Sequence, residues 1–281
     1  MKPISLLGAG FIGSHYAAAF PAVCVEPRDC VVPSCPDVLF TRSTVDNYWP
    51  LKGDLQRDID TNLRHLMEVL PNVTGSFTFL SSWFVCANAG TSPDHPARES
   101  DCCRPTGFYS ITKLAAEHLI QSYCATAATG LVKGPASYRI LRLCNVIGND
   151  PRAGKQKNAL EHMLGKVVRG EAVQVYEGDN FRDYLHVDDV CRAIALCIEA
   201  APLNAIVHIG RGESSRVQDL IGYAIRRTGS ASRIERVPVP AFHQIVQVPD
   251  FWLDTTRLRQ LGFAPRYTVW ESIDKIVSGL A

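Results

Sequence analysis

Ile4-Ser5-Leu6-Leu7-Gly8-Ala9-Gly10-Phe11-Ile12-Gly13-Ser14 is the stretch whose reading decides the fold. Its first four residues form a short, mostly apolar run, which predicts a strand. Glycines then stand at 8, 10 and 13, and Ser14 to Phe20 reads as a short helix stopped by Pro21. Between a strand and a helix, Gly-x-Gly-x-x-Gly allows a tight turn, a close backbone approach to a pyrophosphate, and helix-on-strand packing. The helix start adds free N–H groups and a positive dipole end for phosphates. Gly8, Gly10, Phe11, Ile12 and Gly13 are therefore candidate cofactor-binding residues.

Outward from this turn, short apolar runs alternate with helical patterns, the signature of βαβ units around a parallel sheet. Strands are predicted over 22–26, 37–41, 77–81 and 137–144, with helices over 60–70 and 108–127. The second half is less regular. Helices are predicted over 159–169, 187–200 and 217–228, with extended segments at 172–176 and 205–209. Proline-bearing loops follow at 237–240 and around Pro249.

Composition narrows the function. With 29 basic and 28 acidic side chains in 281 residues, the net charge is +1, which excludes a nucleic-acid binder working through bulk positive charge. A hydrophobic content of 46% excludes a disordered chain. The ten cysteines include no Cys-x-x-Cys pair, and no Cys/His run has zinc spacing, so no metal site is expected. Several lie in apolar runs, where free cysteine packs as a small hydrophobe. The apolar stretch after Lys2 imitates a signal peptide, but the three glycines of the turn fall inside it. No run of the ~20 apolar residues that a membrane span needs is present, and a soluble cytoplasmic protein is expected.

Two further groups carry chemistry. Glu26 ends the second predicted strand, where a carboxylate accepts bonds from ribose hydroxyls and favours NAD; Arg28, two residues on, would instead meet a 2′-phosphate. Tyr109 and Lys113 stand at i and i+4 of the long predicted helix, on one face. A tyrosine ordinarily titrates near ~10, and a neighbouring ammonium lowers that value toward what a general base needs. Ser81-Ser82, at the end of the buried fourth strand, supplies a hydroxyl to hold a substrate oxygen.

With these residues in view, the chain resembles the extended short-chain dehydrogenases/reductases, the NAD-dependent nucleotide-sugar epimerase and dehydratase group. Gly10-Phe11-Ile12-Gly13-Ser14-His15 resembles the cofactor loop of that group, and Asp60-Thr61-Asn62-Leu63 its Asn-containing helix start. Arg142-Leu143-Cys144-Asn145-Val146-Ile147-Gly148 resembles its Arg-x-x-Asn-Val-Tyr-Gly strand end, and Arg182-Asp183-Tyr184-Leu185-His186-Val187-Asp188-Asp189 its Arg-Asp-Tyr segment. The resemblance implies an α/β fold: a Rossmann-type doubly wound parallel sheet with a small C-terminal α/β substrate domain. It implies a dinucleotide-binding domain over 1–148 plus about 186–210, and a substrate-binding domain over about 149–185 and 211–281. It assigns Ser82, Tyr109 and Lys113 as catalytic, with Asn62, Tyr109 and Lys113 also on the cofactor. It gives Ser82, Asn145, Asn158, Tyr176 and Arg182 to the substrate; for Tyr176 a half-buried strand aromatic is an equal reading.

Departures from the group shape the expected reaction. Its dehydratases carry Asp-Glu after the catalytic hydroxyl residue to expel a hydroxyl; Trp83-Phe84 stand there and transfer no proton. The stretch from Glu26 to Asp37 is too short for the usual extra strand and helix, Gly53-Asp54-Leu55 reads as a loop, and no arginine stands at 243–247. The expected function is NAD-dependent nucleotide-sugar epimerisation through transient oxidation of a sugar hydroxyl. The alternatives are a nucleotide 4-keto-sugar reductase with the same Ser/Tyr/Lys site and a non-catalytic dinucleotide sensor. The resemblance also implies a homodimer built from the helices near 60–70 and 108–127, with two equal readings for Leu63, Leu66 and Leu114: seam residues, or residues facing the protein's own sheet.

Overall fold

The computed structural model describes residues 2–44, 54, 56–87, 95–150, 159–178, 180–241 and 250–280. The chain opens with β1 (Ile4–Leu7), α1 (Phe11–Ala19) and β2 (Val23–Val25), then crosses the loop 26–37, which holds neither strand nor helix, to β3 (Val38–Phe40). α2 spans 57–69 in three parts: an α turn Arg57–Ile59, a π-helical segment Asp60–Arg64 and an α segment His65–Val69. β4 (Ser76–Ser82) runs into a 3-10 turn, Trp83–Cys86, and α3 (Phe108–Ala127) leads to β5 (Ser137–Leu143) and β6 (Asn145–Ile147). Next come α4 (Ala159–Val168), β7 (Val173–Tyr176), β8 (Phe181–Arg182), β9 (Tyr184–His186), α5 (Val187–Ala200) and β10 (Ala205–Ile209). The chain continues through β11 (Ser215–Arg216), α6 (Val217–Thr228), β12 (Ile234–Val237), β13 (Asp250–Phe251), α7 (Thr256–Gln260) and α8 (Val269–Leu280).

Six strands form one parallel sheet in the order β2-β1-β3-β4-β5-β10. Alternate strand residues face opposite sides, and each side has its own core. Leu7, Val38, Phe40, Phe77, Phe79 and Ile140 pack with Leu66, Val69, Ala116 and Ile120 of α2 and α3. Leu6, Leu39, Leu80 and Leu141 face the other way, with Tyr16 of α1 and Val190 and Ile194 of α5. The protein is thus a Rossmann-type α/β fold. Because β2 lies on one side of β1 and β3 on the other, the strand order reverses at β1. Such a switch point leaves a crevice outside the carboxyl ends of the strands. A further core joins Leu160 and Leu164 of α4, Leu220 and Ile221 of α6, and Ile273, Ile276 and Val277 of α8, beside the parallel pair β7–β12.

α3, α5, α6 and β10 begin and end where the sequence pattern predicts. α1 starts three residues earlier than predicted, because the Ser14 N–H already bonds the Gly10 carbonyl at 2.8 Å and closes the first turn. β6, β8, β9, β11 and β13 are two or three residues long and have no local signal. Among the described residues, no helix is long and apolar enough to cross a membrane.

Candidate active site

The ends of β1, β3, β4 and β5 open onto one cleft of about 270 Å³ at the switch point, lined also by the start of α3. The glycine turn forms one wall. Gly8 has φ +115°, and a Cβ there would lie 2.6 Å from the Arg42 nitrogen; a Cβ on Gly13 would lie 2.2 Å from the Gly8 carbonyl oxygen. Gly10 has no neighbour within 4 Å of its would-be Cβ, and no side chain caps α1. The turn therefore combines packed glycines with open space before an uncapped helix start, which fits the pyrophosphate of a dinucleotide.

Ser82, Tyr109 and Lys113 line the same cleft as Gly10, Phe11, Ile12 and Gly13. The Ser82 Oγ accepts the Phe84 N–H at 3.3 Å and so caps the 3-10 turn. The Phe84 ring stands edge-on to Tyr109 with centroids 6.3 Å apart, and Trp83 stacks on Phe84 at 3.9 Å. Lys113 is buried; its ammonium donates to the Leu80 carbonyl at 2.6 Å and lies 4.2 Å from the Phe79 ring centroid. Desolvation lowers its pKa to about 7, against the opposing pull of Glu117.

Glu117, one further turn along α3, joins the candidates of the sequence analysis. Its Oε2 accepts Arg142 Nη2 at 2.7 Å and its Oε1 accepts Ser81 Oγ at 2.5 Å. Burial works against the Arg142 charge, but the bonds from Glu117 outweigh it and raise the guanidinium pKa. This buried pair ties α3 to β5 beneath the catalytic candidates. Its signal was available: 109, 113 and 117 continue one i, i+4 row. Thr41, Ser43 and Thr44 also line the cleft, as the end of β3 at a switch point allows.

The substrate candidates divide. Asn145 lines the cleft, and its N–H and Nδ2 both donate to the Asp183 carbonyl, at 3.0 and 3.1 Å. The Asp183 carboxylate takes N–H bonds from Arg211, Gly212 and Leu253 at 2.9, 3.1 and 3.4 Å. Burial raises its pKa to about 6 despite those donors. Arg182 is buried, and its guanidinium carbon lies 5.7 Å from the ring centroid of Trp83, which lines the cleft. Tyr176 ends β7, in the separate pair with β12, and does not join the cleft. Asn158 lies outside the described residues, as do Gly53, Leu55 and 243–247.

Two cofactor candidates are held by the protein's own hydrogen bonds. Asn62 sits in the π-helical segment, 1% exposed, with all four of its hydrogen-bond positions filled. Its Nδ2 donates to Thr44 and Thr112 at 3.0 Å each, while Oδ1 accepts the Thr44 N–H and the Ser43 hydroxyl. It therefore braces α2 against α3 and the β3 loop. Glu26 is engaged by its own loop: Oε1 accepts Ser5 Oγ at 2.5 Å, Ser34 N–H at 2.8 Å and Ser34 Oγ, and Oε2 the Cys30 thiol at 3.7 Å. Burial alone would raise its pKa; those bonds prevail and lower it. The carboxylate thus keeps its charge near the edge strand β2 but stands apart from the cleft residues.

A family model described as "NAD dependent epimerase/dehydratase family" matches residues 44–210, more than half of the chain. A dTDP-glucose 4,6-dehydratase of Streptomyces niveus is 36% identical over 180 residues, covering 63% of this chain and 49% of that protein. A UDP-glucose 4-epimerase of Streptomyces lividans is 29% identical over 188 residues, covering 60% and 54%. The chain thus spans about half the length of these curated relatives. Among solved structures, the UDP-glucose 4-epimerase of Thermotoga maritima with UDP-glucose superposes with a TM-score of 0.83 at 22% identity, covering 99% of this chain and 98% of that one. The Thermus thermophilus UDP-glucose 4-epimerase in complex with NAD gives 0.81 at 20%, covering 100% and 99%. At these identities the two structures bear on the fold alone.

Proposed function

The chain belongs to the NAD dependent epimerase/dehydratase family, and within it we propose that it is a nucleotide-sugar epimerase. The observation that carries this reading is one cleft lined by Ser82, Tyr109, Lys113 and the glycine turn, with Trp83 and Phe84 in its wall. NAD, the family's cofactor, would rest its pyrophosphate on Gly8 to Gly13 and, when bound, supplies a hydride acceptor that can return the hydride. Ser82 holds the oxygen of the reacting sugar hydroxyl. Tyr109 takes the hydroxyl proton as the ketone forms and returns it when the other face of the carbon is reduced. Lys113, buried behind it, contributes positive charge that favours phenolate when protonated. Trp83 and Phe84 have no titratable group, which argues against loss of a hydroxyl at this wall, although dehydratases stand among the relatives.

The substrate-binding part is assigned to about 149–185 and 211–281, with Asn145 and Arg182 at its border with the cleft. The working assembly is a homodimer. Leu66 is removed from the expected seam, since it is wholly buried in the protein's own core; Leu63 and Leu114 pack against core as well. Ile59 of α2 and Ile111 and Leu119 of α3 are the exposed apolar groups there.

A nucleotide-sugar panel with product analysis, run with and without added NADH, tests the reading. Conversion to an epimer without added NADH is expected, with Tyr109→Phe lowering turnover at least ~10²-fold. Stoichiometric NADH consumption would point to the keto-sugar reductase instead, and a 4-keto-6-deoxy product would overturn the argument from Trp83 and Phe84.

A further inference from the structure

The wall of the cleft beside Ser82 and Tyr109 is aromatic. Phe84 is half-buried, lines the cleft and packs against the core. Trp83 stacks on it with ring centroids 3.9 Å apart, and the buried Phe251 of β13 lies 4.5 Å from Trp83. Phe84 therefore stands at the end of a packed row of three rings. It meets Tyr109 edge-on at 6.3 Å, and its N–H is already given to Ser82 Oγ at 3.3 Å. A group beside the oxygen held by Ser82 and Tyr109 thus meets ring carbon from Phe84 and no donor.

Charge is scarce in the same place. Among the described residues that line the cleft, Lys113 alone has a charged side chain, and its ammonium is buried against the Leu80 carbonyl. Arg182 does not line the cleft, and its Nη1 donates to the Phe181 carbonyl at 2.7 Å. Arg142 is paired with Glu117.

A hexopyranose has one substituent that matches such a wall. Its C5 carries the only carbon group on the ring: a methyl, a hydroxymethyl or a carboxylate. Aromatic carbon suits the methyl, while a hydroxymethyl loses water there without gaining a partner. A carboxylate would lose its hydration with no cation in exchange. Its charge would also raise the pKa of Tyr109 and oppose the phenolate that the reaction uses. Resting on the epimerase reading above, we propose that Phe84, backed by Trp83, is the subsite for the C5 substituent of the sugar. It selects a 6-deoxyhexose over a hexose and rejects a hexuronic acid.

Calorimetric titration of the NAD-loaded full chain tests this, with 6-deoxyglucose, glucose and glucuronic acid each carried on UDP and, in a second series, on dTDP. Comparison within one series cancels the contribution of the nucleotide. The 6-deoxy sugar should bind about tenfold more tightly than glucose and at least ~100-fold more tightly than glucuronic acid. Phe84→Gln keeps the backbone N–H that Ser82 accepts and removes the apolar face. It should bring the methyl and hydroxymethyl sugars to near-equal affinity, whereas a merely structural loss would weaken all three sugars alike. Equal or tighter binding of glucose or glucuronic acid by the unaltered protein would overturn the proposal, and so would a Phe84→Gln protein that keeps the full preference. These ratios do not depend on which product forms, so a failure of the epimerase reading in the product panel and a failure of the subsite are separate results.

Discussion

Lys113 carries the charge that the proposed chemistry needs, in a place that resists charge. Its ammonium has one neutral carbonyl and an aromatic ring for close company, and its pKa falls from 10.5 to about 7. Between those values the unfolded chain binds more protons than the folded one, so the residue's contribution to stability rises with pH from about 7 to about 10.5. Below about 7 the penalty is full and constant. Lys113→Met removes it, together with the phenolate-stabilising charge. The variant should lose turnover yet unfold at higher urea than the unaltered protein at pH 7. That advantage should shrink toward pH 10, with a limiting slope of about 1.4 kcal/mol per pH unit. Urea titrations of both proteins across that range check this, and a pH-independent difference would sink it. The i, i+4 spacing of Tyr109 and Lys113 was legible in the sequence; the depth of Lys113 was not, because it depends on Leu80 and Phe79 from another strand. Asn62 gives the same lesson: its position in a motif was readable, while its four internal partners come from segments up to 50 residues away.

At the scale of elements, helix α3, which carries Tyr109 and Lys113, is held to the sheet by the Arg142–Glu117 pair. Both side chains are buried, and Arg142 Nη1 has no hydrogen-bond partner among the described residues. Removing one member leaves an uncompensated charge in the core, which costs about 3–5 kcal/mol. Arg142→Met should therefore destabilise by that order, and Arg142→Met with Glu117→Leu should recover most of the loss. Denaturant unfolding of the three proteins decides it; a double variant no more stable than the single one would refute the pair's role. Short apolar runs made β1, β3, β4 and β5 readable, and helical periodicity did so for α3, α5 and α6. Val269, Ile273, Ile276 and Val277 have the same period, and α8 buries all four. β6 and β9 are different: three residues each, they exist because Asn145 pairs with Tyr184 and Ile147 with His186. No local window contains that information.

For the whole molecule, the homodimer is the assembly to test. Light scattering at micromolar concentration should give a dimeric mass, and Ile111→Asp, on an exposed apolar position of α3, should shift it toward monomer. A monomeric mass for the unaltered protein would end this reading. The sequence by itself determined the parallel α/β architecture, because short apolar runs and the 3.6-residue period of the helices between them are local properties of the chain. It also determined the glycine turn and the Ser82, Tyr109 and Lys113 candidates, since turn chemistry and i, i+4 spacing are likewise local. Tertiary structure decided which candidates share a cleft. It set Tyr176 apart on β7 and closed Asn62 with internal bonds. It folded the 26–37 loop around Glu26 and tied Glu117 of α3 to Arg142 of β5. Each of those outcomes depends on contacts between residues distant in sequence, which arise only when the sheet assembles and desolvated polar groups must find partners.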